Sequence, residues 1–406
     1  MSTPSDIVII GGGLAAAKTA EALRENGHTG TITIVAAENH LPYERPPISK
    51  EYLAGTKTLD DATVHPAEWY RAHDVTLRTG VTATAIDPSA HTVALDDGTS
   101  LPYNRLVLAT GSTVRRLPGV SADNVLYLRT VEDADAIAAA FGEGRRLVVV
   151  GGGWIGLEVA AAARNAGTEV TVLERADVPL GRILGNRVAQ VFADLHRAHG
   201  VDLRTGVEVD EIVIEGGRAT GVRLAGGETI DADAVVVGIG VTPMTELVQS
   251  AGLAVDDGVL VDQTLRTSDP DIWAVGDIAN HDHPVLGRRI RVEHWATALN
   301  QPAAAAASLL GTDTPFTNLP YFFSDQYDLG CEYVGHAAGH EENVVVRGDL
   351  GAREFVAFWL DDARHVVAAM NVNVWDVVDA IRPVITERRV VDPARLADPD
   401  VPYDEL

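Results

Sequence analysis

Two glycine-rich turns are the segments of this 406-residue chain best suited to chemistry. Gly11-Gly-Gly13-Leu-Ala-Ala16 and Gly151-Gly-Gly153-Trp-Ile-Gly156 each follow a β-branched run and open an alanine-rich stretch. In that setting the first glycine permits a tight turn. The second lets the backbone approach a diphosphate, and a small third residue lets helix and strand pack closely. The N–H groups and the helix dipole then favour an anion. One such turn can serve packing alone; two in strand–turn–helix context imply two dinucleotide sites. Glu174, at the end of the strand pattern after the second turn, is placed to bond ribose hydroxyls and repel a 2′-phosphate, favouring NADH over NADPH. Arg175 and Arg182 lie close by and soften that discrimination. After the first turn the strand ends Val35-Ala36-Ala37, and Glu38 is the nearest ribose candidate.

Strand and helix patterns surround both turns. Residues 6–10 and 147–150 read as strands, 14–24 and 154–164 as helices ending at Gly27 and Gly167, and 31–35 and 170–173 as second strands. One β-turn-α-β unit thus occurs twice, at a spacing too long for a solenoid. Further strand-like runs at 106–109, 234–238 and 272–275 end in glycine or a glycine-containing turn, and Asp97-Gly98 and Gly226-Gly227 are hairpin signals. From Pro320 onward aromatics concentrate (Tyr321, Phe322, Phe323, Tyr327 among them) and alternation dominates, which predicts a third, smaller α+β domain. The tail beyond Asp392, with Pro393, Pro399 and Pro402, is expected to be irregular.

Composition excludes several function classes. Apolar residues at 46% and charged residues at 22% describe a globular chain. A net charge of −26 disfavours nucleic-acid and anionic membrane surfaces, though not a local basic patch. The single cysteine, Cys331, excludes an internal disulfide, a redox-active pair and a cysteine-cluster metal site, and is read as a small buried residue. His336 and His340 before Glu341, and His281 with His283, lack the pattern of a metal site, so no metal is expected. The start, from Met1 to Asp6, lacks a basic n-region, and the stretch 147–163 is broken by glycines and Glu158. A cytoplasmic protein without membrane attachment is expected.

With both turns placed, further blocks complete a set: Leu41-Pro-Tyr-Glu-Arg-Pro-Pro-Ile-Ser-Lys50, Leu106-Val-Leu-Ala-Thr-Gly111, Thr267-Ser-Asp-Pro-Asp-Ile-Trp-Ala-Val-Gly-Asp277 and Phe323-Ser-Asp-Gln-Tyr327. Over essentially its whole length the chain resembles the FAD-dependent, NADH-oxidising ferredoxin reductases, the electron-transfer flavoproteins of haem-thiolate monooxygenase and Rieske dioxygenase systems. The resemblance implies an α/β fold of two Rossmann-like dinucleotide-binding domains, the NADH domain inserted in the FAD domain, plus a C-terminal α+β interface domain. The divisions would be 1–114 and 239–319 for FAD, 115–238 for NADH and 320–406 for the interface. It further implies hydride transfer from NADH to FAD and delivery of single electrons to a two-iron two-sulfur ferredoxin by a monomer or weak homodimer.

Residue roles follow from the same resemblance. FAD would be met by Gly11, Gly13, Leu14, Ala15, Glu38, Arg45, Pro47, Ala83, Ala109, Thr110, Gly111, Arg129, Asp277, Glu293 and Trp295, with Lys50 beside its reactive edge. NADH would be met by Gly151, Gly153, Trp154, Ile155, Gly156, Glu174, Arg182, Gly238, Ile239 and Gly240. Lys50 and Glu158 would be the catalytic pair, the lysine stabilising developing negative charge and the glutamate fixing the lysine. The residue types also allow blander roles. Glu158 would complement a helix N-terminus, Asp277 would cap a helix, and Trp295 would pack in a core.

Relatives on the same fold are separated by what is missing. Disulfide reductases need a cysteine pair, and cysteine-dependent oxidases need a thiol near the block that here begins with Leu41. The alternatives are a redox-switched binding protein of the apoptosis-inducing-factor type and a rubredoxin reductase. Docking of an acidic ferredoxin to an acidic chain needs a local exception, for which Arg288 and Arg289 are the candidates; the alternative is a solvated basic loop.

Overall fold

The structure is a computed structural model that describes residues 5–406; residues 1–4, on which the reading of the chain start partly rests, lie outside the described residues. The chain forms two compact units: Met1–Arg45, Thr58–Thr113 and Val241–Pro320 in the first, and Pro46–Lys57, Val114–Gly240 and Tyr321–Leu406 in the second.

In the first unit the β-branched strand Asp6–Ile10 lies at the centre of a five-stranded parallel sheet. Thr31–Ala36 and then Val75–Thr79 flank it on one side; Arg105–Leu108 and then Ile272–Ala274 flank it on the other. Helices cover parallel sheets on both faces, so these strands read as nearly unbroken apolar runs, and Ile7, Ile9, Ile32, Ile34 and Leu106 are fully buried. The helix Leu14–Glu25 presents Ala15, Ala16, Ala17, Ala20 and Leu23 inward and packs on the helix Trp295–Leu309. Small side chains allow that close approach. Asp97-Gly98 turns between the antiparallel strands Thr92–Leu95 and Ser100–Pro102, with Gly98 at φ +82°.

The second unit repeats the parallel core. Its order is Asp202–Arg204, Glu169–Leu173, Arg146–Val150, Ala234–Val237 and Val125–Leu126, and all neighbours run parallel. The helix Trp154–Asn165 leaves the second glycine turn and is followed by Gly167 at φ +82°. A longer helix, Gly181–Ala198, breaks at Gly185 (φ +70°). A Cβ there would lie 2.1 Å from the Glu341 carbonyl oxygen. Around the break, Trp359 Nε1 donates to the Leu184 and Glu341 carbonyls, and Glu342 Oε1 accepts the Asn186 N–H.

The aromatic-rich region forms a five-stranded antiparallel sheet in the order Tyr321–Gln326, Leu329–Gly335, Val366–Val372, Glu354–Leu360, Val344–Asp349. Phe355, Phe358, Trp359 and Cys331 are buried in it. The tail differs from the irregular segment expected. Asp392 caps a short helix, Pro393–Ala397, by accepting the Ala394 N–H, and Pro393 occupies the first turn, where its missing N–H costs nothing. No helix among the described residues is long and apolar enough to cross a membrane.

Candidate functional site

Each glycine turn sits at the carboxyl end of the central strand of its sheet, the position at which open α/β sheets bind ligands. In the first unit Gly11 has φ +133°, and a Cβ on it would meet the Ala109 carbonyl oxygen at 2.1 Å. Glycine is therefore required where strand Arg105–Leu108 continues into Ala109-Thr110-Gly111. Gly13 is the N-cap of the twelve-residue helix Leu14–Glu25, and a Cβ on it would meet nothing within 4 Å. Backbone and open space thus meet at a helix N-terminus, which fits a diphosphate. Leu14 and Ala15 open that helix, and Gly276 (φ +79°) would bring a Cβ within 3.3 Å of Ala15. Asp277 follows it in the short 3-10 turn Gly276–Ile278, so it is not the helix cap of the blander reading.

Glu38 lies beyond the strand Thr31–Ala36 and is held from two sides. Arg45 Nη2 reaches its Oε1 at 2.6 Å, and the Tyr43 hydroxyl donates to its Oε2 at 2.5 Å. Arg45 Nη1 also donates to the Tyr43 oxygen at 2.9 Å. Sequence alone gives Tyr43 no role of its own; its position two residues before Arg45 is the one local sign that both can reach the same carboxylate. Ala83 begins the strand Ala83–Asp87. Trp295 is the first residue of its helix, and Glu293 pairs with Arg291 at 2.6 Å. Arg288 and Arg289 lie exposed on the strand Arg288–Ile290, where Arg289 Nη1 donates to the Val261 and Asn280 carbonyls at 2.8 Å each.

In the second unit Gly151 (φ +107°) would place a Cβ 2.3 Å from the Gly238 carbonyl oxygen, and a Cβ on Gly156 would lie 2.1 Å from the Gly151 carbonyl oxygen. Gly153 caps the helix Trp154–Asn165, and a Cβ on it would meet nothing within 4 Å. This cradle too fits a dinucleotide diphosphate. Glu174 buttresses the turn: its Oε2 accepts the Gly152 N–H at 2.6 Å and its Oε1 the Ala176 N–H at 2.7 Å. Each oxygen keeps a lone pair for a ribose hydroxyl. Ile155 and Ile239 are 44% and 38% exposed, apolar surface on either side of the turn; Gly240 follows at φ +99°. Trp154, the first residue of the helix after this turn, lies edge-on to Phe192 at 5.2 Å and tilted against Phe322 at 5.0 Å. Arg182 is exposed near the start of the helix Gly181–Ala198.

Lys50 and Glu158 meet in this unit, Nζ to Oε1 at 2.9 Å, with side chains 10% and 3% exposed. Glu158 lies in the second turn of the helix Trp154–Asn165 and is not a simple terminal complement. Ser49 donates to its Oε2 at 2.5 Å, and Ser324 to its Oε1 at 2.7 Å. Phe323 lies under the ammonium at 5.5 Å. Three donors on one buried carboxylate hold it in one rotamer. Ser49 sits beside Lys50 in sequence and Ser324 beside Phe323, yet no local pattern in the chain assigns either of them to Glu158. Pro47 lies in the turn Pro46–Ser49 of the same unit, and Arg129 precedes the capping residue Thr130 of the helix Val131–Ala138.

Comparison with known proteins agrees with this arrangement. A family model described as pyridine nucleotide-disulphide oxidoreductase matches residues 5–302, and one described as reductase C-terminal matches residues 321–406. The chain is 44% identical over 396 residues to the anthranilate 1,2-dioxygenase system ferredoxin–NAD(+) reductase component of Burkholderia cepacia, covering 97% of each chain. It is 39% identical to the putidaredoxin reductase of Pseudomonas putida, covering 100% of this chain and 97% of that one. The reductase in the crystal structure of a covalent putidaredoxin reductase–putidaredoxin complex superposes with a TM-score of 0.95 at 39% identity, covering 100% of this chain and 98% of that one. With its parallel cores matched from residue 5 to residue 302 and its antiparallel sheet domain from 321 to 406, this chain belongs to the pyridine nucleotide-disulphide oxidoreductase family and carries a reductase C-terminal domain.

Proposed function

We propose that the chain takes hydride from NADH onto a bound FAD and passes the electrons singly to a two-iron two-sulfur ferredoxin serving a monooxygenase or dioxygenase. The observation that carries this reading is the pair of glycine cradles, one in each parallel core, each with open space before a helix N-terminus. FAD, when bound, supplies the conversion between a two-electron donor and a one-electron acceptor. The chain supplies binding and electrostatics. The Gly11–Gly13 turn holds the diphosphate of FAD, and Glu38, tied to Arg45 and Tyr43, is its ribose candidate. Gly151, Gly153 and Gly156 hold NADH, and the Glu174 carboxylate accepts its ribose hydroxyls and rejects a 2′-phosphate.

Lys50 is the fixed cation of the hydride step and Glu158 its anchor. A lysine pinned by a carboxylate needs no reorganisation when negative charge develops. Arg288 and Arg289 offer the acidic ferredoxin a local basic edge on a chain of net charge −26. The single cysteine is buried, and burial pushes its thiol up, so thiol-based reduction finds no nucleophile. Three domains divided as the sequence suggests, acting as a monomer or weak dimer in the cytoplasm, complete the reading.

The test is a titration of the purified yellow protein with NADH, followed by reduction of two-iron two-sulfur ferredoxins. Bleaching of the flavin absorbance and catalytic ferredoxin reduction are expected. Bleaching without reduction of any ferredoxin would remove the electron-transfer reading, and absence of flavin would remove the whole proposal.

A further inference from the structure

Glu158 is the end of a longer polar path. Ser324 Oγ donates its single proton to Glu158 Oε1 at 2.7 Å, so its lone pairs face the remaining neighbour, Gln326 Nε2, at 3.1 Å. The Gln326 amide nitrogen therefore points at Ser324, and its oxygen, Oε1, faces His196 Nε2 at 2.8 Å. An amide oxygen only accepts, so His196 carries its proton on Nε2, and Nδ1 is left to accept from the Tyr327 hydroxyl at 3.4 Å. Turning the amide over would direct the Ser324 proton to Gln326 and strip a donor from the carboxylate. Ser324 and Gln326 are 1% exposed and His196 0%, so these three side chains are shielded from bulk solvent. Burial lowers the His196 pKa to about 4, which keeps the ring neutral at pH 7 as the tautomer requires.

We infer that Tyr327, His196, Gln326 and Ser324 form a one-way hydrogen-bond chain that holds Glu158, and through it Lys50, in the orientation used for hydride transfer. The inference rests on the assignment of the Lys50–Glu158 pair to that step. Every donor points toward the carboxylate, so each bond polarises the next and the last one, to a charge, is the strongest. The chain draws on three segments of the second unit: the helix Trp154–Asn165, the helix Gly181–Ala198 and the strand Tyr321–Gln326. Ser324, Gln326 and His196 are thus positioning residues, acting through Glu158.

The test compares wild-type holoenzyme with Ser324→Ala, Gln326→Met and Glu158→Gln, and with the Ser324→Ala, Glu158→Gln double variant. Stopped-flow reduction by NADH should show the limiting rate of Ser324→Ala and Gln326→Met falling about tenfold, with the NADH dissociation constant changed less than about twofold. In the Glu158→Gln background, Ser324→Ala should cost less than about twofold, because the two act as one unit. Independently, nitrogen-15 NMR of histidine-labelled wild-type protein at pH 7 should find His196 neutral with the proton on Nε2. Full rates in Ser324→Ala and Gln326→Met while Glu158→Gln is slow, fully additive losses, or a His196 protonated on Nδ1 would each overturn the chain. Unchanged reduction in Glu158→Gln would instead overturn the assignment of the ion pair, and the inference with it.

Discussion

Ala16 and Gly156 hold the same place in two copies of one turn, and a single methyl group separates them. Ala16 is fully buried and its methyl is accommodated, whereas a Cβ at Gly156 would stand 2.1 Å from the Gly151 carbonyl oxygen. Gly156→Ala should therefore raise KM for NADH at least about tenfold while flavin content stays full, measured by steady-state kinetics and absorbance. Glu174 acts at this scale too. It accepts two backbone N–H groups in addition to the ribose role proposed for it, so its loss would mix specificity with support. Glu174→Gln keeps an acceptor oxygen and removes the charge. It should lower the NADH-over-NADPH ratio of kcat/KM by about tenfold with a smaller loss of stability than Glu174→Ala. An unchanged ratio would show that Glu174 supports the turn and does not select the nucleotide.

Elements decide which charges are available for binding. On the strand Arg288–Ile290, Arg289 is tied to two backbone carbonyls, so reversing it breaks hydrogen bonds as well as changing charge. Arg288→Glu changes the charge of the same edge and leaves those two bonds in place: it should slow ferredoxin reduction about tenfold while ferricyanide reduction keeps its rate. Equal losses with both acceptors would remove the docking role. At the C-terminal sheet the buried guanidinium of Arg347 donates to the carbonyls of Leu396, Val401 and Arg395 at 2.7, 3.0 and 3.2 Å, and stacks over Tyr403 at 4.6 Å. This one side chain ties the tail, with its short helix Pro393–Ala397, to the strand Val344–Asp349. Arg347→Met removes one donor from each of those carbonyls and should destabilise the fold by about 3 kcal/mol, read as a fall in melting temperature.

Across the whole molecule, buried neutral histidines set the acid limit of stability. Burial lowers the pKa of His196 and of His281 to about 4, and that of His283 as well. A histidine in the unfolded chain titrates near 6.5, so below that pH the unfolded state binds protons that the folded state refuses. The contribution is complete above about pH 6.5 and is lost as pH falls toward 4. It is worth about 3 kcal/mol for each of His196 and His281. The melting temperature should be level between pH 7 and 8 and decline steadily from pH 6.5 to 5. A level profile down to pH 5 would contradict the burial of these rings.

The two strand–turn–helix units, their glycine stops and the candidate residues for each dinucleotide are legible in the sequence alone. Those features arise from backbone freedom, side-chain period and capping within a few residues, and they hold wherever the segment packs. Lys50 and Glu158 were likewise legible as types. Packing between distant segments is what brings Ser49 and Ser324 onto the Glu158 carboxylate and sets Gln326 and then His196 in line behind Ser324. Nor did the sequence show that Arg45 and Tyr43 close on Glu38, or that the proline-rich tail winds into a helix under Arg347. A buried polar group must find its partner among whatever the fold brings alongside, and that choice depends on packing between distant segments, which carries no local period in the chain.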